Sequence, residues 1–293
     1  MKLHADCIAC LTRSALERVR SLKDAGKKTE YMRRVCEILS AADAEYDSAP
    51  LLDARIVRLR REFLGIQEDY AETKRRFNAL LLGIYDRLRA RVQGAEDPLY
   101  AAMQLSIVGN YIDFNLLGDV DPDEVLRLLD EAANRELDAA EYARLRADLA
   151  RGGELVFVHD NCGEVVLDKL LIETIRGLYP NIRAVSLVRG GPVANDATRD
   201  DAAQIGLAEV SEVLDNGLED IPGTQVDQLP AAVRERMENA ALIIAKGQGN
   251  FESMIGCGLN VYYLLLSKCP SYTEWFGFEH FGGVLASEIR RSF

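Results

Sequence analysis

The sequence predicts an α/β protein, with a Rossmann-like, mostly parallel sheet of about five strands and an N-terminal all-helical domain. Residues 1–150 carry apolar side chains at helical spacing almost throughout, and we find no convincing strand pattern among them. Residues 151–293 instead alternate short apolar runs with helical segments, which is typical of a parallel sheet with crossover helices. The glycines of Arg151-Gly152-Gly153 favour a junction between the two halves. We therefore expect a helical domain over 1–150 and an α/β domain over 151–293.

Helical segments account for the first half of the chain. Their apolar positions recur every three or four residues, as on the buried face of a helix. The segments lie near residues 8–23, 29–44, 52–64, 70–92, 98–113 and 122–149. The last one begins with a capping pattern, because Asp121 suits the N-cap, Pro122 the first helical position and Glu124 the third.

Five apolar runs in the second half have the length and composition of buried strands. They lie at residues 155–158, 182–188, 209–214, 242–245 and 261–266. The first, second and fourth runs each end in a glycine-containing turn with polar side chains. Because the carboxyl ends of parallel strands meet at one edge of a sheet, about 5 Å apart, we expect these three turns to surround one crevice.

The three turns carry candidate ligands to that crevice. Asp160 and Asn161 follow the first run, Asp196 follows the second and Lys246 follows the fourth. Carboxylate and carboxamide oxygens suit Mg²⁺ or Mn²⁺, and a lysine offsets the charge of a phosphate. An Asx-turn with a helix N-cap explains Asp160 and Asn161 equally well when they are taken alone. The same pattern at two further turns favours a metal-phosphate site in the α/β domain.

Charge and composition exclude several classes of function. The 293 residues include 47 Asp and Glu against 35 Lys and Arg, and the net charge of −12 argues against a broad surface for nucleic acid or anionic membrane. No apolar run is long enough to cross a bilayer and the start of the chain lacks a secretory signal pattern, so we expect a cytoplasmic protein. Six cysteines are too sparse for a disulfide scaffold, which predicts reduced thiols.

Two nucleotide-binding motifs are absent or incomplete. No G-x-x-x-x-G-K-[ST] sequence occurs, so kinase-type ATP hydrolysis loses support. Gly247-Gln-Gly249 begins like a dinucleotide fingerprint, but Glu252 stands where the third glycine belongs.

Two features of the helical half remain open to more than one interpretation. Cys7-Ile-Ala-Cys10 has the spacing of a metal or redox motif, but no second C-x-x-C accompanies it. Buried structural thiols explain these cysteines as well as a metal or redox role does. Gly109 and Asn110 are an ordinary helix stop when they are considered without the rest of the chain.

Taken together, the motifs resemble those of the damage-control phosphatase family, also called domain of unknown function 89 and known from its acidic-residue methyltransferase-like member. The resemblance covers almost the whole chain and includes the C-x-x-C of the microbial branch. It weakens after Cys269, where the sequence is unusually aromatic. The matching segments are Cys7-x-x-Cys10, Lys74 with Asn78, Gly109-Asn110-x-Ile-Asp113, Asp160-Asn-x-Gly-Glu164, Gly190-Gly-Pro-x-x-Asn195-Asp196-Ala-Thr198, Lys246-Gly-Gln-Gly-Asn-Phe-Glu252 and Lys268-Cys269.

The resemblance implies a metal-dependent phosphatase that acts on small phosphometabolites such as sugar phosphates. By the family pattern Asp160, Asn161 and Asp196 would ligate Mg²⁺, Mn²⁺ or a similar divalent ion, and Lys246 would hold the phosphate. Asn110 and Asp113 would reach the crevice from the helical domain. The nucleophile stays open, because Asp160 could attack, orient water or serve only as a ligand.

Two other classes of function remain as alternatives. A protein carboxyl methyltransferase is suggested by one family member's name, although no glycine-rich adenosine-binding loop follows the first strand. A non-catalytic metal or redox sensor would use Cys7 and Cys10. The sequence leaves the substrate, the physiological metal and the oligomeric state open.

Overall fold

A computed structural model describes residues 1–109, 126, 127, 129 and 136–289. Asn110, Asp113 and the capping pattern at 121–124 lie outside the described residues. The first seven helices described are α1 Ala5–Arg18, α2 Ala25–Ser40, α3 Ala49–Leu64, α4 Ala71–Gly83, α5 Tyr85–Gly94, α6 Pro98–Val108 and α7 Ala139–Arg151. They overlap the predicted helical segments, with two differences. Segment 70–92 is two helices separated at Ile84, whose backbone leaves the helical region. Segment 122–149 is not one continuous helix, because residues 136–138 are non-helical and Asp138 caps the start of α7.

In the second half of the chain, the described residues form one six-stranded sheet with helices between its strands. The strands are β1 Gly153–Val158, β2 Ile182–Val188, β3 Glu212–Asp215, β4 Leu242–Lys246, β5 Val261–Leu266 and β6 Gly283–Ser287. The helices are α8 Glu164–Leu178, α9 Arg199–Gln204, α10 Ala231–Glu238, α11 Gly247–Met254 and α12 Ser271–Phe276.

The order of the strands is β3-β2-β1-β4-β5-β6, and all neighbours are parallel except β5 and β6. The chain moves outward in one direction from β1 to β3 and in the other direction from β4 to β6. The reversal lies between β1 and β4, and crevices for ligands form at such points. The predicted α/β class with a mostly parallel, Rossmann-like sheet is therefore confirmed.

Two details of the strand prediction need correction. The strand expected at 209–214 begins only at Glu212, because residues 207–209 form a short 3-10 turn. The antiparallel edge strand β6 was not predicted, since its five residues follow an irregular aromatic segment and carry no alternation that marks a strand.

Both faces of the sheet are buried. On one face, β-strand residues such as Phe157 and Ile244 share a core with α4, α5, α6 and α8. On the other face, residues such as Val158 and Tyr263 pack with α10, α11 and α12. Helices α1, α2 and α3 form a separate core around Tyr31. The division of the chain into domains at residue 150 stays a prediction.

Among the described residues, no helix is both long enough and apolar enough to span a bilayer.

Candidate active site

The turns after β1 and β2 are joined directly to each other. Asn161 and Asp196 form an isolated antiparallel bridge. The N–H of Cys162 donates to the carbonyl of Asn195 at 2.8 Å, and the N–H of Ala197 donates to the carbonyl of Asp160 at 2.7 Å. The structure thus brings Asp160, Asn161 and Asp196 together at the carboxyl edge of the sheet.

Arg189, the residue after β2, lies between the two aspartates. Its Nε donates to Oδ2 of Asp196 at 2.5 Å, and its Nη2 is 3.5 Å from Oδ1 of Asp160. Nη1 donates to the Gly223 carbonyl, to Thr224 Oγ1 and to Asn250 Oδ1, each at 3.0 Å. This buried guanidinium connects the ligand turns to α11 and to the loop after β3. We assigned Arg189 no role from the sequence, although a cation at the end of a buried strand was the available signal.

Lys246 is fully buried at the end of β4. It belongs to a cluster of buried charged groups whose other members are Asp160, Glu164, Asp168, Asp196 and Arg189. Its ammonium donates to the carbonyl of Ser106 at 2.8 Å, to Oε1 of Glu164, and to Oδ1 of Asp168 at 3.1 Å. Each of its three N–H groups therefore has an acceptor. Burial acts to lower the pKa of Lys246, but the pKa is raised because both carboxylates favour the ammonium form. Direct contact of Lys246 with a phosphate would require one of these acceptors to be exchanged.

Asn161 is oriented by two carboxylates. Its amide nitrogen donates to Oδ2 of Asp160 at 2.7 Å and to Oε2 of Glu164 at 3.1 Å. No described residue donates a hydrogen bond to its Oδ1. The carboxamide oxygen is consequently available to a cation, whereas both N–H groups of the amide already donate hydrogen bonds.

The described cluster carries more negative than positive charge. Its buried carboxylates outnumber its buried cations by four to two. Burial, then the neighbouring charges of Asp196 and Glu164, raise the pKa of Asp160 well above its usual range. A divalent cation at this place would offset the excess charge. The groups counted are Asp160, Glu164, Asp168 and Asp196 against Arg189 and Lys246.

The donor set for such a cation is small. Over the described ranges, no three side chains of His, Cys, Asp or Glu are grouped so that they could hold a metal ion. Among the described residues, a metal between Asp160 and Asp196 would therefore take its third protein ligand from the carboxamide of Asn161. Oxygen ligands of this kind fit Mg²⁺ or Mn²⁺ rather than a thiolate-binding metal.

A serine, a histidine and an aspartate beside the cluster have the arrangement of a hydrolase triad. His159 Nδ1 is 2.9 Å from Asp168 Oδ2, and its Nε2 is 2.9 Å from Ser186 Oγ. Ser186 is fully buried, however, and its hydroxyl also contacts Ser211 at 2.7 Å. A nucleophile needs access to its substrate, so the hydrogen bonds from Ser186 through His159 to Asp168 are structural. They hold the Asp168 carboxylate in place. Ser106 Oγ supports the same carboxylate at 2.6 Å.

The cysteines of the C-x-x-C motif lie away from this cluster, near α12. His4 stacks on Trp275 with ring centroids 3.9 Å apart, and Ser271 Oγ donates to Asp6 at 2.9 Å. Burial raises the pKa of both Cys7 and Cys10, so both are protonated thiols near neutral pH. The described structure gathers no metal-ligand set around them.

A separate cavity of about 720 Å³ lies at the opposite end of the sheet. It is lined by the first residues of β2 and by the charged side chains Glu154, Arg176, Glu212 and Arg236. Arg236 pairs there with Glu154 and Glu212. None of the candidate site residues that the structure describes lines this cavity, which opens at the amino ends of the strands rather than at their carboxyl ends.

Gly247, the first residue of α11, leaves room for Asp160. Its φ of 76° favours glycine, and a β-carbon built on it would overlap the carboxylate of Asp160. Gly249, two residues later, has no such neighbour, since the nearest atom to its β-carbon position is 3.6 Å away.

We expect Gly247→Ala to destabilise the protein by at least about 2 kcal/mol, because Asp160 must move and the backbone is strained. Gly249→Ala should be neutral or stabilising, by up to about 1 kcal/mol, because alanine favours the helix. Urea unfolding of both variants measures the difference. Equal stability of the two variants would contradict the close contact between Gly247 and Asp160.

Comparison with known proteins places the chain in a family. A sequence model of the damage-control phosphatase ARMT1-like domain matches residues 3–281. A protein of Archaeoglobus fulgidus named damage-control phosphatase is 32% identical over 275 residues, which cover 92% of this chain and 93% of the relative. A Pyrococcus horikoshii protein with the same name is 26% identical, with 92% and 93% covered.

The fold is also found in a crystal structure of a DUF89 family protein from Pyrococcus horikoshii. The two structures superpose with a TM-score of 0.84, at 24% sequence identity, and the match covers 98% of this chain and 99% of the other. Membership of the microbial C-x-x-C branch stays a prediction. The extent of the family match and the identity to the Archaeoglobus relative show that the chain belongs to the damage-control phosphatase ARMT1-like domain family.

Proposed function

We propose that this chain is a divalent-metal-dependent phosphatase that hydrolyses small phosphorylated metabolites. The observation that carries the proposal is the excess of buried carboxylate charge beside Asn161, whose carboxamide oxygen has no donor among the described residues. The names of the relatives support a phosphatase. The net charge of −12 fits a small anionic substrate held by a local site better than a nucleic acid or a membrane surface.

Asp160, Asn161 and Asp196 are the residues that would hold the ion, by the fit described above. Bound there, a divalent ion supplies Lewis-acid polarisation of a phosphoryl oxygen. Arg189 already contacts both aspartates, so it is placed to keep them oriented and to balance their charge. Asn110 and Asp113, which lie outside the described residues, stay candidates for the helical side of the crevice.

The amino end of α11 is the part of the site best suited to the phosphate. It begins directly after Lys246, at the same sheet edge as the ligand turns. Free N–H groups and the dipole at a helix amino end favour anions. Lys246 adds positive charge beneath this end, and its contact with Glu164 holds the carboxylate that orients Asn161.

The methyltransferase alternative finds no support in the first βα turn. Asp160 and Asn161 occupy the place where a glycine-rich adenosine loop would run. The glycine present, Gly163, packs against Phe77.

All six cysteines are free, which fits a reducing compartment, and we propose that the protein is cytoplasmic.

The direct test is release of inorganic phosphate from a panel of phosphometabolites, assayed with Mn²⁺, with Mg²⁺ and after removal of metal with EDTA. We expect hydrolysis of at least one sugar phosphate or related monoester, dependent on the added metal. Full activity after complete metal removal would overturn the proposed metal dependence.

Asp160→Asn and Asp196→Asn should each abolish metal-dependent phosphatase activity, because a charged ligand is replaced by a neutral isostere. Mn²⁺ binding should weaken in parallel. Asp200→Asn is the matched control, since Asp200 is exposed in the first turn of α9 and its loss changes the same charge without touching the cluster. Wild-type turnover in either ligand variant at matched metal concentration would remove that residue from the site.

Lys246→Ala should lower kcat/KM by an amount equivalent to about 2–4 kcal/mol, as expected for loss of a preorganised charge donor. It should also lower the free energy of unfolding by about 3–5 kcal/mol, because two buried carboxylates lose their partner. Mn²⁺ should still bind. Lys169→Met is the control, because Lys169 is another buried lysine whose ammonium pairs with Glu209 outside the cluster. An unchanged kcat/KM in a folded Lys246→Ala variant would show that the lysine acts only in folding.

The Cys7→Ser, Cys10→Ser double variant should keep phosphatase activity with added Mn²⁺ or Mg²⁺. The reason is that both thiols are protonated and lie at α1, whereas the proposed metal takes oxygen ligands at the sheet edge. Activity and urea unfolding are measured together. Complete loss of activity in a folded double variant would place the C-x-x-C motif in the mechanism.

A further inference from the structure

One side chain of helix α4 contacts the first of the turns that carry the proposed metal ligands, and it is linked to the second turn through Asp201 of α9. Asn78 is fully buried. Its Oδ1 accepts a hydrogen bond from the N–H of Gly163 at 2.6 Å, and its Nδ2 donates to Oδ1 of Asp201 at 2.9 Å. Gly163 ends the turn that begins with Asp160 and Asn161. Asp201 belongs to the segment that follows Asp196.

Asp201 links Asn78 to the second turn. Its Oδ2 accepts from the N–H and from the Oγ1 of Thr198, both at 2.8 Å, in a capping box. Thr198 is only two residues from Asp196. Lys74, one helical turn before Asn78, pairs with the same oxygen at 2.6 Å. Asp201 is therefore held by α4 through both of its oxygens, and it holds the second turn through Oδ2.

The first turn is also fixed by packing against α4. Gly163 has a φ of 71°, and a β-carbon on it would overlap the ring of Phe77, the neighbour of Asn78. The ring and the Asn78 carboxamide thus act on the same residue, one by contact and the other by a hydrogen bond. The backbone bonds between the two turns fix which residues pair, whereas α4 fixes where the paired turns lie relative to the helical half of the chain.

We propose that Asn78 is a positioning residue for the metal site, which holds the two paired turns against α4 so that the oxygens of Asn161 and Asp196 stay placed to share one ion. This inference rests on the proposed function. Mg²⁺ tolerates little departure from octahedral geometry at about 2.0–2.1 Å, so a small shift of either turn is costly in affinity. Residues that orient ligands without touching the metal change affinity by about 10–100-fold when they are replaced.

The test uses the full chain and measures Mn²⁺ binding directly, from the electron paramagnetic resonance signal of free Mn²⁺. Asn78→Leu removes both of these contacts, together with a third hydrogen bond from Nδ2 to Oε1 of Gln204 at 3.0 Å. Asn78→Asp keeps an acceptor for Gly163 but brings a like charge to Asp201, and it serves if the leucine variant does not fold. Tyr85→Phe is the control, because the Tyr85 hydroxyl also joins the helical half to α8, through Glu173 at 2.8 Å, without touching either turn.

We expect both Asn78 variants to bind Mn²⁺ about tenfold more weakly or worse, and the control to bind as the wild type does. Saturating Mn²⁺ should restore phosphatase activity to the Asn78 variants but not to Asp196→Asn. Wild-type Mn²⁺ affinity in a folded Asn78 variant would overturn the positioning role, as would an equal loss in Tyr85→Phe. Absence of Mn²⁺ binding to the wild-type protein would instead overturn the proposed function itself.

Discussion

The contact on which the cluster depends is the burial of the Lys246 ammonium between Glu164 and Asp168. The three groups come from the end of β4 and from the first two turns of α8, and the carbonyl of Ser106 adds α6. Charges without solvent are tolerated only when they are paired and hydrogen-bonded. The packing of α6 and α8 against the sheet is therefore coupled to the ionisation of a single lysine. Glu164 in turn orients Asn161, so the same pairing determines what the carboxyl edge of the sheet offers to a ligand.

The strands that carry the site were predictable because they are buried on both faces. Residues 155–158, 182–188 and 242–245 are continuous apolar runs, and such runs are recognisable without knowledge of their neighbours. Strand β6 was not predictable in this way, since it follows an irregular segment and pairs antiparallel at the edge. The separation of α4 from α5 at Ile84 also escaped prediction, because apolar periodicity continues across it and only the backbone changes.

The gathering of the described candidate residues at one sheet edge was predictable, and their partners were less so; the roles of these residues, and those of Asn110 and Asp113, stay predictions. Asp160, Asn161, Asp196 and Lys246 were gathered by the rule that parallel strands end at one edge. Their hydrogen bonds depend on side chains distant in sequence, such as Ser106, and no local pattern reveals those. One signal was available, because Glu164 and Asp168 are four residues apart and therefore lie on the same face of α8.

The distances along the chain between contacting residues have a consequence for how the cluster assembles during folding. Arg189 reaches Asp196 across 7 residues and Asp160 across 29. The contacts of Asn78 with Gly163 and Asp201 span 85 and 123 residues, and those of Lys246 with Glu164 and Ser106 span 82 and 140. Closing longer loops costs more chain entropy and slows folding. The two aspartates can therefore pair with Arg189 through contacts that are short along the chain. The contacts of Lys246 and of Asn78 in α4 form only when distant parts of the chain have met.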